Sequence, residues 1–257
     1  MKYVPIRYIE FTHQFRQGSS EREYADMINR LRIDCDRDVL EYFNRRVKSA
    51  GSDIPRVFPT NNAVDSCNQK MLKSLSSNSV IFKGDCSGTF KKMNDSDLPV
   101  PSKLELKVGA KVMFVKNGSH WKNGSMGIVK ALTATSVTVK SEDDGESYEV
   151  QTDIWEDYQF DDRGELYIAG VYKQIPLVPA WAFTVHKTQG LTFKTLSYDP
   201  DRTFDVGMAY VALSRTTKID GLYLEKPLRT EHVKHDGLVR DFYCNLSRGN
   251  HGTPQTR

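Results

Sequence analysis

The sequence predicts an α/β protein: a parallel sheet flanked by helices, with a small β-rich insertion. Three observations predict it. Strand-like and helix-like segments alternate over residues 8–75, as they do in a parallel layer. From about residue 104 to 175, apolar–polar alternation and tight-turn signals dominate, which indicates a small antiparallel sheet or barrel. Short apolar strands and helical stretches resume after Ile175.

Each element has its own local reason. Tyr8–Phe11 reads as a short strand. Ser19 or Ser20 is a candidate N-cap, with Glu21 and Glu23 in the first turn, where the helix dipole favours acids. Tyr24, Met27, Ile28 and Leu31 then recur at helical spacing. A second helix is expected from Asp36 to Lys48, with Val39, Leu40, Phe43 and Val47 inward and Gly51 ending it. Arg56–Phe58 reads as a strand, and a helix is expected over Ala63–Ser74. Val80–Phe82 is a strand, and residues 83–103 form a polar surface excursion. Asn123-Gly124 and Asp144-Gly145 mark tight turns beside strands at Gly127–Val129 and Ser136–Lys140. A helix over Ala182–Thr188, a strand at Leu196–Tyr198, a helix over Phe204–Leu213 and a strand at Gly221–Leu224 complete the pattern. Residues 1–80 and 175–246 therefore make one α/β domain, 81–174 an insertion, and 247–257 a flexible tail.

Bulk properties narrow the function classes. Of 257 residues, 39% are hydrophobic and 27% charged, enough for a packed core. The net charge of +3 is too mild to announce nucleic-acid binding by itself. Four scattered cysteines form no Cys-x-x-Cys pair, which argues against zinc and against a secreted disulfide framework. Without an apolar leader or a membrane-length apolar run, the expectation is an intracellular protein, cytoplasmic or nuclear, with no membrane partner.

The densest chemistry lies at Thr184-Val-His-Lys-Thr-Gln-Gly. His186 and Lys187 can meet phosphates, Thr184 and Gln189 can bond phosphate oxygens or sugars, and Gly190 permits a sharp turn or a close approach. A helix C-cap with Lys in the last turn explains part of this cluster, but not Thr, His and Gln together. Arg215 closes an apolar stretch after a small residue, so its fork of donors suits a phosphate or a carboxylate; taken alone, an ordinary surface arginine in a salt bridge is the favoured reading. Arg16 and Gln17 follow a strand end, where ligands approach in α/β sheets. Thr60 and Asn61 also follow a strand end, and either nucleic-acid contact or helix capping accounts for them. His232 and His235 have no third metal ligand in view. Trp121 can stack on a base or plug the end of the β-rich block.

These segments together resemble the C-terminal half of superfamily 1 DNA helicases of the petite-integration-frequency (PIF) and RecD-like type. Phe15-Arg16-Gln17 looks like the family's fourth helicase motif. Pro59-Thr60-Asn61, followed by Asn68, is similar to the segment opening its second RecA-like lobe. Leu106–Phe114 with Asn123-Gly124-Ser125 and Gly127 resembles its inserted small β-barrel. Ala180–Gly190 looks like motif V and Tyr210–Arg215 like motif VI, with Met208 standing where the family usually has Gln.

The resemblance implies a RecA-like parallel sheet with an inserted antiparallel β-barrel. It implies ATP and Mg2+ in the complete helicase, none bound by this chain alone, and 5′–3′ movement on single-stranded DNA. Arg16 and Arg215 would act catalytically on the γ-phosphate. Gln17, Gln189 and Gly190 would join those arginines in nucleotide binding. Thr60, Asn61, Thr184, His186 and Lys187 would lie along the DNA. Nowhere in the 257 residues is there a Gly-x-x-x-x-Gly-Lys-Ser/Thr phosphate loop, the magnesium-binding acidic pair or the Gly-Asp-x-x-Gln motif. The expected partner is therefore a first RecA-like lobe carrying them. The alternative is a non-catalytic module that binds single strands or docks on a partner.

Overall fold

A computed structural model describes residues 15–249. Contact density divides the chain into two units: one runs to Thr60 and resumes at Thr184, the other is Asn61–Phe183. The strand expected at Tyr8–Phe11 lies outside the described residues.

The first unit begins with a 3-10 turn, Ser19–Glu21, that leads into helix α1 (Arg22–Ile33). Tyr24, Ile28 and Leu31 are its buried face, as their spacing predicts, while Met27 is only half-buried. Neither serine caps a helix: Gly18 and Glu21 hold the N-cap positions without side-chain bonds, because the chain enters through the 3-10 turn. Asp36 does cap helix α2 (Arg37–Asn44), accepting from the Val39 amide at 2.9 Å. This helix stops four residues short of Lys48. The backbone there turns to pair with Leu224, through Leu224 N–H to Arg46 O (2.9 Å) and Lys48 N–H to Leu224 O (3.1 Å). Val47, expected inward, is left exposed. Strand β1 (Arg56–Phe58) follows.

The second unit opens with helix α3 (Asn61–Ser74), which buries only Leu72. The Asn68 amide brackets the Ala182 backbone, accepting from its N–H (2.9 Å) and donating to its carbonyl (3.1 Å). Ten strands follow: β2 (Ser79–Lys83), β3 (Asp85–Gly88), β4 (Lys103–Lys107), β5 (Lys111–Phe114), β6 (Met126–Leu132), β7 (Ser136–Ser141), β8 (Ser147–Gln151), β9 (Asp153–Phe160), β10 (Leu166–Gln174) and β11 (Leu177–Pro179). They form antiparallel sheets ordered β11-β5-β6-β7-β8, β3-β10-β9 and β2-β4. The expected closed barrel is not formed among the described residues; the five-stranded sheet stays open, with β11 and β8 at its edges. Val112, Phe114, Val129, Val137, Val139 and Val150 make its fully buried face. Asn123-Gly124 and Asp144-Gly145 turn as expected, with φ of +93° at Gly124 and +80° at Gly145.

Residues 83–103 are not merely a surface excursion. They supply β3 and bury Phe90, Leu98 and Val100. The fully buried Tyr172 receives them, its hydroxyl donating to Val100 O at 2.8 Å. Trp121 stacks on Phe114 at 4.7 Å, so one face of the indole is already used within the unit.

The first unit resumes at Thr184, the last residue of β12 (Ala182–Thr184), and continues with β13 (Leu196–Tyr198), helix α4 (Met208–Leu213), β14 (Leu222–Leu224) and helix α5 (Gly237–Gly249). Its sheet is ordered β12-β1-β13-β14, and β13 runs parallel to both β1 and β14. All three residues of β13 are buried, as in a strand covered on both faces. The helix expected over Ala182–Thr188 is instead β12 followed by a 3-10 turn, His186–Thr188. A short, wholly apolar run carries no period that separates the two. The helix expected from Phe204 begins only at Met208, because Gly207 sits at φ +73° and breaks the approach. His232 Nδ1 accepts from the Arg229 amide, while His235 Nε2 meets Leu31 O. Residues 247–249 of the expected tail belong to α5, and 250–257 lie outside the described residues. No helix among the described residues is long and apolar enough to cross a membrane.

One glycine holds the three-stranded sheet together. Gly88 has φ +56° and ψ −130°, and a Cβ there would lie 1.9 Å from the Ala169 carbonyl oxygen. Gly88→Ala is expected to destabilise this unit by about 2–4 kcal/mol, from backbone strain plus the clash. The check is a urea titration followed by tryptophan fluorescence, in which an unchanged midpoint would refute the assignment.

Candidate functional site

The first unit carries a cleft of about 580 Å³ lined by Phe15, Arg16, Gln17, Thr192, Tyr210 and Ser214, among others. Segments far apart in sequence meet here. Arg16 Nε donates to Thr192 Oγ1 (3.0 Å) and its Nη1 to Ser214 O (3.3 Å). Arg215 stands behind this lining, only 8% exposed. Its Nε donates to Val211 O (2.8 Å), its Nη2 to Ser214 Oγ (2.7 Å) and its Nη1 to Thr188 O (3.5 Å). Ser214 thus touches both guanidinium groups.

The electrostatics are unusual for a buried cation. Arg215 has no carboxylate partner among the described residues. Burial, and then the neighbouring Arg16 charge, push its pKa below the ordinary arginine value. Arg16 lines the cleft and Arg215 lies behind it, desolvated and bonded only to neutral oxygens, so two like charges meet at Ser214. Phosphate is well matched to such a fork of donors.

Gln17 is buried, its amide donating to Thr216 O (3.0 Å) and Ser214 O (3.5 Å). It clamps the segment bearing Arg215 while also lining the cleft. Tyr24, fully buried on α1, donates to Leu213 O (2.5 Å) and bonds Thr216 Oγ1 (2.6 Å) from behind. Burial raises its pKa far above the usual tyrosine value, so the hydroxyl stays protonated. Helical spacing marks Tyr24 only as a core-facing residue, and the sequence does not single out Thr192 or Thr216. Nothing in local spacing reveals that their hydroxyls converge on residues almost 200 positions away.

The turn after β12 divides into inner and outer side chains. Thr184 is buried, and its Oγ1 accepts from the Lys187 amide (3.3 Å). Thr188 is fully buried and donates to Val185 O (2.6 Å). His186, Lys187, Gln189 and Gly190 are exposed. Gly190 has φ +80° with open space around its Cβ position, so the requirement for glycine there is one of backbone and not of room. The Val185 amide donates to Phe58 O (3.1 Å), which sets this turn beside the end of β1. Thr60, half-buried, leaves β1 there, and the exposed Asn61 begins α3 in the second unit. The arginine pair and the turn are linked through Thr188, whose carbonyl Arg215 touches. Among the described residues no group of three His, Cys, Asp or Glu side chains is arranged to hold a metal ion.

No protein-family model matches the chain. It is similar to the ATP-dependent DNA helicase Pif1 of Bdellovibrio bacteriovorus, at 34% identity over 196 residues, 72% of this chain and 43% of that protein. It is also similar to the ATP-dependent DNA helicase PIF1 of Xenopus laevis, at 28% over 257 residues, 93% of this chain and 38% of that protein. Among solved structures, Pif1 from Bacteroides sp. in complex with ADP-AlF4 matches with a TM-score of 0.75 and 27% identity, covering 91% of this chain and 55% of that one. Bacteroides Pif1 bound to ssDNA matches at 0.66 and 28%, covering 92% and 56%. Pif1 from Candida albicans matches at 0.70 and 26%, covering 91% and 60%. The chain spans about two fifths of the length of the curated relatives it matches.

Tyr24→Phe removes the hydroxyl that satisfies a buried carbonyl and a buried threonine. It is expected to cost about 1–3 kcal/mol of stability, the penalty for orphaned buried polar groups. A thermal or urea melt compared with wild type checks this, and an unchanged melt would show that the hydroxyl braces nothing.

Proposed function

The chain is a relative of the Pif1-type superfamily 1 DNA helicases over most of its length, and from that premise we propose that it is the C-terminal portion of an ATP-dependent 5′–3′ DNA helicase. In this reading the first unit is the second RecA-like lobe. It contributes two arginines to a nucleotide site completed by a first lobe, and a polar turn to a single-stranded DNA track. The observation that carries the reading is the pairing of Arg16 and Arg215 on Ser214 without a counter-charge.

ATP, when bound, supplies the triphosphate whose hydrolysis drives movement. Arg16 lines the cleft and would bind the terminal phosphate directly. Arg215 would exchange its loosest bond, the 3.5 Å contact to Thr188 O, for a stronger acceptor. Because Thr188 lies in the turn bearing His186, Lys187 and Gln189, that exchange gives a route from nucleotide to DNA. Thr184 and Gln17 act as braces, whereas His186 and Lys187 are placed outward to meet phosphates of the strand. Thr60 would extend the track at the end of β1, and Asn61, in the second unit, would make its own contact with the strand. The phosphate loop and the acids that hold Mg2+ are assigned to the first lobe.

An arginine finger contributes ~10³–10⁵ in rate, but only on a phosphate that other groups already hold. The 257-residue chain alone is therefore expected to show no DNA-stimulated ATPase. In a protein carrying both lobes, Arg215→Ala is expected to lower the turnover number by roughly 10³-fold or more while single-strand binding persists. Turnover by the chain alone, or an active Arg215→Ala enzyme, would sink the proposal.

Lys187→Ala is expected to weaken single-strand binding equally for all base compositions, since phosphate contacts carry no sequence information. The slope of log affinity against log salt is expected to fall by ~0.7, one phosphate contact's worth. Fluorescence anisotropy with homopolymeric strands measures both, and a composition-dependent loss would exclude this role.

A further inference from the structure

The hairpin of β9 and β10 is used by neither the arginine cleft nor the polar turn. β3 pairs with β10 only at Gly170–Lys173, so beyond that point the hairpin is two-stranded. Its register sets Tyr158 opposite Ile168 and Phe160 opposite Leu166. Directly opposed residues share a face, and alternate pairs along a strand return to it. These four side chains therefore form one contiguous apolar patch. They are 51%, 48%, 72% and 59% exposed, and the Tyr158 hydroxyl donates to Glu156 on the same face. The opposite face is the structural one, where Trp155 packs on the buried Tyr172 at 5.8 Å between ring centres.

Charge surrounds the patch. Between Asp153 and Ile168 the chain holds six carboxylates against one base, Arg163; Asp153 is paired with Lys116 and Asp157 lies on the opposite face bonded by Thr89, which leaves Glu156, Asp161, Asp162 and Glu165 for the rim, while the chain as a whole carries +3. An apolar centre with a charged rim is the anatomy of a protein-binding surface. The sign of the rim selects the occupant. Nucleic-acid phosphates are repelled, and a second copy would bring the same carboxylates against its own. What complements the patch is a segment with apolar anchors flanked by lysine or arginine.

We infer that the face of this hairpin bearing Tyr158, Phe160, Leu166 and Ile168 is a docking surface for a basic, amphipathic segment of a partner protein. The inference is independent of the nucleotide site, since none of its residues lies in the first unit. The apolar anchors supply the affinity, and the carboxylates set selectivity and encounter rate.

The test uses the full chain and three labelled probes in fluorescence anisotropy. They are a peptide of alternating leucine and lysine, the same peptide with glutamate for lysine, and an oligothymidylate strand. The lysine peptide is expected to bind in a salt-sensitive way, and the glutamate peptide not to bind. The double variant Phe160→Ser/Ile168→Ser, whose changes are on the surface, is expected to melt like wild type. It should bind the lysine peptide at least ~10-fold more weakly, from the loss of two apolar anchors. Its affinity for oligothymidylate should be unchanged. Absent peptide binding, or binding indifferent to the double substitution, overturns the inference. So does loss of oligothymidylate binding in the variant, which would make the face a nucleic-acid surface. Self-association of wild type in sedimentation, abolished in the variant, would instead assign it to a second copy.

Discussion

Arg215 sits almost out of water and bonds only neutral oxygens: the Val211 and Thr188 carbonyls and the Ser214 hydroxyl. An unpaired buried charge is normally expelled or neutralised, because desolvation outweighs what neutral acceptors return. Here neighbouring elements hold it in place. α1 braces the segment from behind through Tyr24, Gln17 ties the carbonyls on either side of Arg215, and Arg16 shares Ser214. Much of the first unit's polar bonding over long sequence separations serves this one side chain. A structural arginine would be served more simply by a carboxylate, and the unit does use that solution elsewhere, at Arg56 with Glu225 and Arg46 with Asp220.

The same logic of inner support and outer display shapes the turn after β12. Thr184 and Thr188 direct their hydroxyls to the turn's own backbone, which leaves His186, Lys187 and Gln189 facing solvent on a fixed frame. Rigid support matters for phosphate recognition, since a long lysine that must first be ordered loses side-chain entropy. Gly190, held left-handed, closes the turn sharply enough for the chain to return toward Thr192, the residue that receives Arg16.

How much of this was legible depended on whether the signal was local. The alternation of Tyr24, Ile28 and Leu31, the Asn123-Gly124 and Asp144-Gly145 turns, and the strands at Arg56 and Leu196 follow from spacing and turn chemistry within a few residues. Errors arose where a distant partner overruled local preference. Lys48 leaves its helix because Leu224 offers a backbone bond, and Ala182–Thr184 becomes a strand because a sheet edge accepts it. The polar stretch 83–103 hid three buried apolar residues among lysines and aspartates. At the cleft, Arg16 and Arg215 could be named from their setting and from the family resemblance. Their shared serine, the tyrosine behind it and the threonine in front depend on tertiary closure and could not be named.

The three-stranded sheet also has an unpaired edge, because β9 lies outermost among the described strands. Open strand edges are templates for runaway association between molecules. Two features of the hairpin oppose it: the register slip at Ala169, which adds local twist, and the carboxylates spaced along β9. The protection is local, not a property of the chain's overall charge. The ribbon's resistance to edge pairing thus rests on its own side chains.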